Sequence, residues 1–376
     1  MGNTALLDST SAPAGKAAEA PAALVPFVRA SRKRTELAHR ATAKLAASST
    51  PSAPISVPAS GFLRHLVIEV KATGGAGGGA VAKADGPFSV LQDLQLADVN
   101  GNPLFGPLPG YHAYLASKYG AYEYVSDAKM LPSYSAPSAN GNFAFTLRIP
   151  VEISGRDGLG SLANMNAGQT YKLRYSIAAA SEVFSTAPAT LPDVEVSVWL
   201  ETWAPPREAD PNGAPQETRP PAHGTTQYWS SAVYNIGEGE QTIRLTRTGN
   251  LLRTIVAIVE GSSGRSNALF PEVARLEYDG TLVESIGRSV MRDRIASQYG
   301  LVAAEGAANG LDAGVYVWCL HHDLDGRAGF ETRTGYMATS QATRLDLRGV
   351  FAPATDRLTI LTNDVAVPVG ASHVGA

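Results

Sequence analysis

Two stretches of the chain, residues 55–203 and 243–364, carry the same short motifs in the same order. The first opens with ISVPASGFLRHLV and the second with IRLTRTGNLLRTIV. Further along, LASKYG at 115–120 corresponds to IASQYG at 295–300. The units of solenoid proteins repeat every roughly 20–50 residues, so a repeat this long is typical of a duplicated domain. The sequence therefore predicts two copies of one module in tandem, with loops of different length.

Within each module the chain is a series of short β-rich runs. Apolar side chains alternate with other residues over 143–149, 171–175 and 194–198, as they do in half-buried strands. Residues 111–119 place Tyr, Leu and Tyr at helical spacing on one face, and residues 291–299 repeat this stripe with Met, Ile and Tyr. Each module is therefore predicted to hold about eight short strands and one short helix.

This order of elements predicts an all-β fold. A parallel α/β fold needs a helix after nearly every strand, and that pattern is missing from the sequence. The 37 glycines and 24 prolines suit the tight turns between antiparallel strands. We predict two eight-stranded antiparallel jelly rolls in tandem, a double jelly roll, with short helices and an N-terminal basic arm.

Changes in composition predict four segments. Residues 1–50 form a basic, flexible N-terminal arm, and residues 51–203 form the first jelly roll. Residues 204–224 are a Pro-rich linker, since they are polar and show no periodicity. Residues 225–376 form the second jelly roll with a short C-terminal tail.

The N-terminal arm carries most of the local positive charge. Between residues 29 and 44, a single acidic residue, Glu36, stands among six basic ones. The candidate contact residues are Arg29, Arg32, Lys33, Arg34, Arg40 and Lys44. Two interpretations stay open: a disordered arm, or a short helix that lies on a neighbouring subunit or an anionic membrane.

Composition also limits the partners. The chain has 31 Lys and Arg against 34 Asp and Glu, so it lacks the strongly basic character of a nucleic-acid coat, and no specific nucleic-acid partner is expected. Cys319 is the single cysteine, which excludes an internal disulfide framework and favours a reducing compartment. The apolar run around Cys319 predicts a buried thiol that acts as a small hydrophobic residue.

The candidate chemical motifs are weak. Residues 75–80 match G-x-G-x-x-A, but the helix that would receive a dinucleotide pyrophosphate does not follow. In the run HHDLD, His321 and Asp323 share one face of a strand and His322 points to the other, which is too few ligands for a metal. No G-x-S-x-G, H-E-x-x-H or P-loop motif occurs in the chain. We predict no catalytic, cofactor-binding or metal-binding residues and no cofactor.

The order of segments resembles one family. A basic arm precedes SGFLRHLVIEV and NGNPLF, then comes a Pro-rich linker, and GEGEQTIRLTRTGNLLRTIVAIV opens the second module. Over roughly residues 50–365 this pattern is similar to the double jelly-roll major capsid proteins of tectivirus-like phages. These are tailless icosahedral double-stranded DNA viruses with an internal membrane.

The resemblance implies a structural role and not an enzymatic one. It implies homotrimers that form pseudo-hexameric capsomers in the icosahedral shell of a virion, around an internal membrane. The partners would be further copies of the chain, penton or minor capsid proteins, and the membrane, with the arm placed toward the membrane. Before assembly the protein would reside in the host cytoplasm. The family carries no catalytic residues to transfer onto this sequence.

Two other functions stay open from the residues alone. One is a hydrolase built on paired jelly rolls, such as an amidase that acts on glycans. The other is a carbohydrate-binding adhesin, for which the four tryptophans of the chain would supply stacking surfaces. A trimer or a shell would favour the capsid, whereas a monomer would favour either alternative.

Overall fold

A computed structural model describes residues 22–120, 127–218, 226–300, 310–321 and 335–366. Short 3-10 turns occupy Phe88–Val90, Ala128–Met130 and Asn267–Leu269. The first half of the chain forms β1 (Ala23–Val25), α1 (Phe27–Ala30), β2 (Lys33–Lys44), β3 (Thr50–Pro51), β4 (Ile55–Ser56), β5 (Phe62–Thr73), β6 (Val81–Ala82), β7 (Leu91–Ala97), β8 (Pro103–Leu108), α2 (Gly110–Gly120), β9 (Phe143–Pro150), β10 (Leu162–Ala163), β11 (Lys172–Ile177), α3 (Ala180–Val183), β12 (Phe184–Thr186) and β13 (Asp193–Trp203).

The second half of the chain has its elements in a corresponding order. It forms β14 (Gln216–Thr218), β15 (Gln227–Asn235), β16 (Gly239–Arg244), β17 (Leu251–Gly261), β18 (Gly264–Arg265), β19 (Val273–Tyr278), β20 (Thr281–Gly287), α4 (Arg288–Tyr299), β21 (Val315–Cys319), β22 (Met337–Ala338), β23 (Leu345–Phe351) and β24 (Thr355–Val365).

Each module consists of two packed four-stranded sheets. In the first module, sheet 1A has the order β9–β5–β13–β2 and sheet 1B has the order β4–β11–β7–β8. In the second module, sheet 2A has the order β21–β17–β24–β15 and sheet 2B has the order β16–β23–β19–β20. All these pairings are antiparallel, and the connections are the same in both modules. The predicted fold, two eight-stranded jelly rolls in tandem, is confirmed.

The strand registers confirm the duplication residue by residue. Leu63 is the second residue of β5, and Leu252 is the second residue of β17. Immediately after each leucine the ladder to the last strand of the module contains a bulge, which leaves Arg64 unpaired in one module and Arg253 unpaired in the other. A shared bulge at a matching arginine is a conformational detail that two unrelated strands would not share.

The prediction of a helix or a disordered arm is wrong for residues 33–44. These residues form β2, which pairs with β13 over its whole length and opens the first jelly roll, as β15 opens the second. The first jelly roll therefore begins well before residue 51. Because β2 is an edge strand with most side chains exposed on both faces, it lacks the apolar alternation by which strands are recognised in sequence.

The segment around the predicted linker closes one end of the molecule. Strand β14, at 216–218, pairs in parallel with β1 near the N-terminus. Beneath this pair, Phe27 packs edge-on against Phe62 at 5.0 Å and against Trp203 at 6.1 Å. The start of β2 and the end of β13 therefore meet the chain that leads into the second jelly roll at the same end of the fold. We call it the basal end.

Candidate functional site

The junction between the two jelly rolls is formed by two edge strands and one helix. Strand β8, at the edge of sheet 1B, runs parallel to β15, at the edge of sheet 2A, with Phe105 opposite Trp229. Sheets 1B and 2A are thereby continuous. Helix α2 follows β8 directly, and all of its residues are buried except the half-buried His112, because it packs both against β7 and β9 of its own jelly roll and against β17 and β24 of the second.

A buried charge cluster lies at this helix. Lys118 is fully buried, and its Nζ lies 2.9 Å from an Asp127 oxygen and 2.8 Å from an Asp312 oxygen. The hydroxyl of Tyr119 donates to the other Asp312 oxygen at 2.7 Å. Burial, followed by the charge of Asp312, raises the pKa of the Tyr119 phenol well above its usual value. Since Asp312 belongs to the second module, the cluster holds the modules together by charge-assisted bonds shielded from water.

An arginine of the second module, Arg265, also bridges the two modules. Arg265 pairs with Asp85 of the first module and lies over the Tyr111 ring at 4.3 Å. Burial raises the pKa of the Asp85 carboxyl, and Arg265 partly opposes this effect. The same guanidinium donates to the carbonyls of Leu311 and Ala313, at 2.9 and 2.8 Å. Arg265 therefore fixes the loop that carries Asp312 against α2.

The C-terminal end of α2 is held by the bulge arginine of the second module. Arg253 donates to the carbonyl of Gly120 at 3.0 Å and to the side chain of Asn363 at 2.7 Å. A cation is favourable at this position because the last carbonyls of a helix carry partial negative charge. An added methyl group at Gly120 would lie 2.2 Å from the Trp229 ring, so the strand and the helix end are in close contact.

The matching helices of the two modules also meet. The rings of Tyr119 and Tyr299 pack edge-on at 4.9 Å, and the Tyr299 hydroxyl donates to the Tyr119 carbonyl at 3.3 Å. These are the two tyrosines that the sequence repeat aligned, and each stands at the end of its own helix. The edge strands that pair are not equivalent, since β8 of the first module meets β15, the counterpart of β2, and the junction is therefore a head-to-tail contact between the modules.

The junction uses one edge strand from each module, β8 and β15, and each of them has an equivalent edge strand in the other module. Within the described residues, β2 pairs with β13 alone and β20 pairs with β19 alone. Strand β2 is the counterpart of β15, and β20 is the counterpart of β8. One free edge at each side of the molecule is therefore complementary to the other.

The six basic residues predicted to contact a membrane or subunit do not form one patch. Arg29, Arg32, Lys33 and Arg34 are exposed at the basal end, and none of them forms an ion pair with a described carboxylate. Arg40 lies along β2, where it donates to Ser197 and pairs with Glu195 at 3.7 Å, and Lys44 lies at the opposite end of the strand. The exposed Arg207, which the sequence did not single out, joins the basal group through a backbone bond to Ala30.

The weak chemical motifs gain no support. Residues 74–80 are a loop between β5 and β6. His322, Asp323 and Asp325 lie outside the described residues. In the part of the chain that the structure describes, no group of three or more His, Cys, Asp or Glu side chains is placed to hold a metal ion. In the same part, no helix has the length and apolar character needed to cross a bilayer.

Cys319 differs from its predicted environment. It lies at the end of β21 and is half-buried, with Sγ 2.9 Å from the Tyr299 hydroxyl and 3.1 Å from His321 Nδ1. Two surface cavities, of about 520 and 490 Å³, are lined by other residues. Cys319 is therefore a polar contact beside the junction and not a deeply buried apolar residue.

A buried apolar thiol would tolerate valine better than serine, whereas this polar contact favours serine. Cys319→Ser keeps a group that can bond to Tyr299 and His321, so we expect it to change the free energy of unfolding by less than about 1 kcal/mol. Cys319→Val removes the bonding group and is expected to cost about 1–3 kcal/mol. Urea unfolding of both variants measures the difference. A valine variant as stable as the serine variant would show that the thiol contact contributes nothing.

Sequence reasoning did not identify the junction residues Lys118, Arg253, Arg265 and Asp312. Their partners lie 133 to 194 residues away in most cases, so no local pattern connects them. The one available signal was the repeat itself, which aligned Arg64 with Arg253.

No family model matches the chain, and no curated protein matches it. Solved structures do match. The major capsid protein of Sulfolobus turreted icosahedral virus superposes with a TM-score of 0.62 and 14% identity, over 91% of this chain and 100% of that one. VP54 of the virus PBCV-1 gives a TM-score of 0.57 and 12% identity, over 89% of this chain and 94% of that one. The major capsid protein of bacteriophage PM2 gives 0.51 and 12%, over 90% and 100%.

Those proteins are double jelly-roll major capsid proteins. At identities this low the likeness speaks for the fold alone, and it agrees with the strand order, the matching bulges and the continuous sheet described above. The chain is a double jelly-roll protein of the architecture found in viral major capsid proteins.

Proposed function

We propose that this chain is a major capsid protein, whose trimers form the pseudo-hexameric capsomers of an icosahedral virion shell around an internal membrane. The observation that carries the proposal is the head-to-tail junction, which leaves the complementary edges β2 and β20 without a partner strand in the described part of the chain. Heterologous contacts of this kind form closed rings when the rotation between modules closes. Three copies would supply six similar jelly rolls around one ring.

The solved structures support this role by analogy. They match the whole chain and not one module, and they belong to the shells of icosahedral viruses. Electron microscopy of the purified protein tests the proposal. We expect ring-shaped particles with six lobes and threefold symmetry, and shells under assembly conditions. Single two-lobed particles at all concentrations would contradict it.

The basal end is proposed to face the membrane. Its exposed cations are Arg29, Arg32, Lys33, Arg34 and Arg207. Each basic residue near an anionic bilayer contributes about 1 kcal/mol of binding free energy. This placement assigns the membrane contact to the start of the first jelly roll, with Arg40 and Lys44 left as candidates for contact between subunits along β2.

We expect Arg32→Glu with Arg34→Glu to weaken binding to vesicles that contain anionic lipid by more than about tenfold, since at least about 2 kcal/mol of attraction is lost. Co-sedimentation with these vesicles measures the effect. The matched control is Lys71→Glu with Lys83→Glu, two exposed lysines near the end of β5 opposite the basal residue Phe62. Equal loss in both double variants would show that the basal cations have no special role.

The remaining partners follow from the same proposal. Penton or minor capsid proteins would contact the outer sides of the trimers, and the chain would fold in the host cytoplasm before assembly. The alternative of a glycan-acting amidase or a carbohydrate-binding adhesin has no observation in its favour. The cavity of about 490 Å³ is lined by His39, Ser52 and Ser56, but neither serine is bonded to the imidazole: Ser52 Oγ accepts from the backbone N–H of Tyr175, and Ser56 Oγ accepts from Lys172. None of the four tryptophans lines this cavity or the one of about 520 Å³.

A further inference from the structure

We propose that the outer face of sheet 1A is the docking site for a second copy of this chain, which inserts β20 and the end of α4 as β8 and α2 insert within one chain. The inference rests on the proposed function for the number of copies in the ring. It adds the surfaces, the pairing register and the arginine that joins them.

The two A sheets carry matching positions with different burial. The strand registers pair each residue on the outer face of sheet 2A with one on sheet 1A. The residues of sheet 2A lie under the first jelly roll and are all buried: Arg253, Val256, Ile258, Val317, Leu361 and Asn363. Their counterparts on sheet 1A are all half-buried: Arg64, Val67, Glu69, Arg148, Trp199 and Glu201. The surface that is buried in sheet 2A is therefore partly open to solvent in sheet 1A.

The helices and edge strands show the same contrast. In α4 only Met291 and Ile295 are buried, whereas α2 is buried along almost its whole length. Val283 on β20 is 47% exposed, and its counterpart Leu104 on β8 is 6% exposed. A free edge strand with exposed apolar side chains is a template for pairing with another chain. The occupant that fits is a second copy, because the chain already contains the complementary edge.

Arg64 is placed to hold the incoming helix. Its Nε donates to the buried Glu152, its guanidinium stacks on Trp203 at 4.6 Å, and Nη1 lies 4.0 Å from Glu201. Its twin Arg253 donates to the carbonyl of Gly120 at the end of α2. The matching acceptor at the end of α4 is Gly300, which is exposed. Arg64 of one copy would thus donate to the Gly300 carbonyl of the next copy.

The register of the contact follows from the internal pair. Trp229 opposes Asn363, and the residue at the same place in β2 is Thr35, which opposes Glu201. Phe105 pairs with Leu96 in β7, and the residue at the same place in β20 is Glu284, which pairs with Leu276. Thr35 of one copy should therefore lie opposite Glu284 of the next, at a Cα separation that a disulfide can bridge.

A cysteine pair tests this register in the full-length chain. Thr35→Cys with Glu284→Cys should form a covalent trimer on oxidation, seen as a band at three chain masses on a non-reducing gel. The Glu284 ion pair with Arg294 is partly exposed, so its loss should leave the fold intact. Each single variant, and Thr35→Cys with Val350→Cys, are controls for linkage through Cys319 or by chance, and they should give no trimer band.

A charge on the free edge tests the contact without cross-linking. Val283→Glu should shift the native mass from that of a trimer to the 39.3 kDa monomer with an unchanged far-ultraviolet spectrum. Val350→Glu is the matched control, because Val350 is 64% exposed on β23, away from β20, and it should leave the trimer intact. Arg64 itself is a poor probe, since its loss would also strand the buried Glu152.

The outcomes separate this inference from the proposed function. A wild-type chain that stays monomeric would overturn both. A wild-type trimer that Val283→Glu leaves intact, with no covalent band from the cysteine pair, would overturn this contact and leave the trimer standing. A covalent band together with dissociation by Val283→Glu would establish it.

Discussion

Replacing Lys118 by methionine is expected to destabilise the folded chain by about 3–5 kcal/mol. Methionine fills a similar volume, so the loss comes from charge and not from a cavity. Lys118 is fully buried between Asp127 and Asp312, and without it the two carboxylates would face each other away from water. Removing one partner of a buried ion pair costs more than the pair itself contributes.

Urea unfolding followed by circular dichroism measures this loss. Lys172→Met is the control, since Lys172 is a half-buried lysine on β11 that bonds to Ser56 at the surface, and it should change the free energy of unfolding by less than about 1 kcal/mol. A second variant, Lys118→Met with Asp312→Asn, should recover part of the loss because one stranded charge is removed. Equal stability of Lys118→Met and the wild type would mean that the junction is not held by this cluster.

Trp229→Ala is expected to cost about 3–5 kcal/mol, the usual range for truncating a buried aromatic side chain. Trp229 is 1% exposed, stands opposite Phe105 and contacts the end of α2 at Gly120. The cavity would open between the two jelly rolls, so the loss should appear as uncoupling of the modules, with a broader unfolding transition.

Two matched variants sharpen this test. Trp199→Ala makes the same change on the half-buried outer face of sheet 1A, and it should affect the stability of the single chain much less. Trp229→Phe retains most of the apolar area and removes an indole N–H that has no bonding partner among the described residues, so it should be milder than alanine. If Trp199→Ala and Trp229→Ala were equally destabilising, the buried junction would not be the stronger contact.

The duplication and the fold class could be predicted because they depend on local patterns. Apolar alternation marks strands such as β9, and helical spacing marks α2 and α4, whose tyrosines 119 and 299 occupy matching places. Motif order then pairs the two modules. These signals come from cores, where burial on one face imposes a period on the sequence.

The edges and the junction could not be predicted in this way. Most side chains of strand β2 are exposed on both faces, so its basic sequence lacks apolar alternation and predicts a solvated arm where the structure has a strand. Lys118 would be taken for a surface residue beside an apolar stripe, because its partner Asp312 lies 194 residues away. Arg64 and Arg253 were aligned by the repeat, but only the strand registers show that both occupy a bulge and that one of them caps a helix of the other module.

The native mass of the purified chain shows directly whether three copies associate. Light scattering coupled to size exclusion should give about 118 kDa, three times the 39.3 kDa of one chain, and the value should not change on dilution through the micromolar range. A stable particle of 39.3 kDa at every concentration would contradict the proposed trimer, because β2 and β20, which are unpaired at one edge within the described residues, would then have no partner.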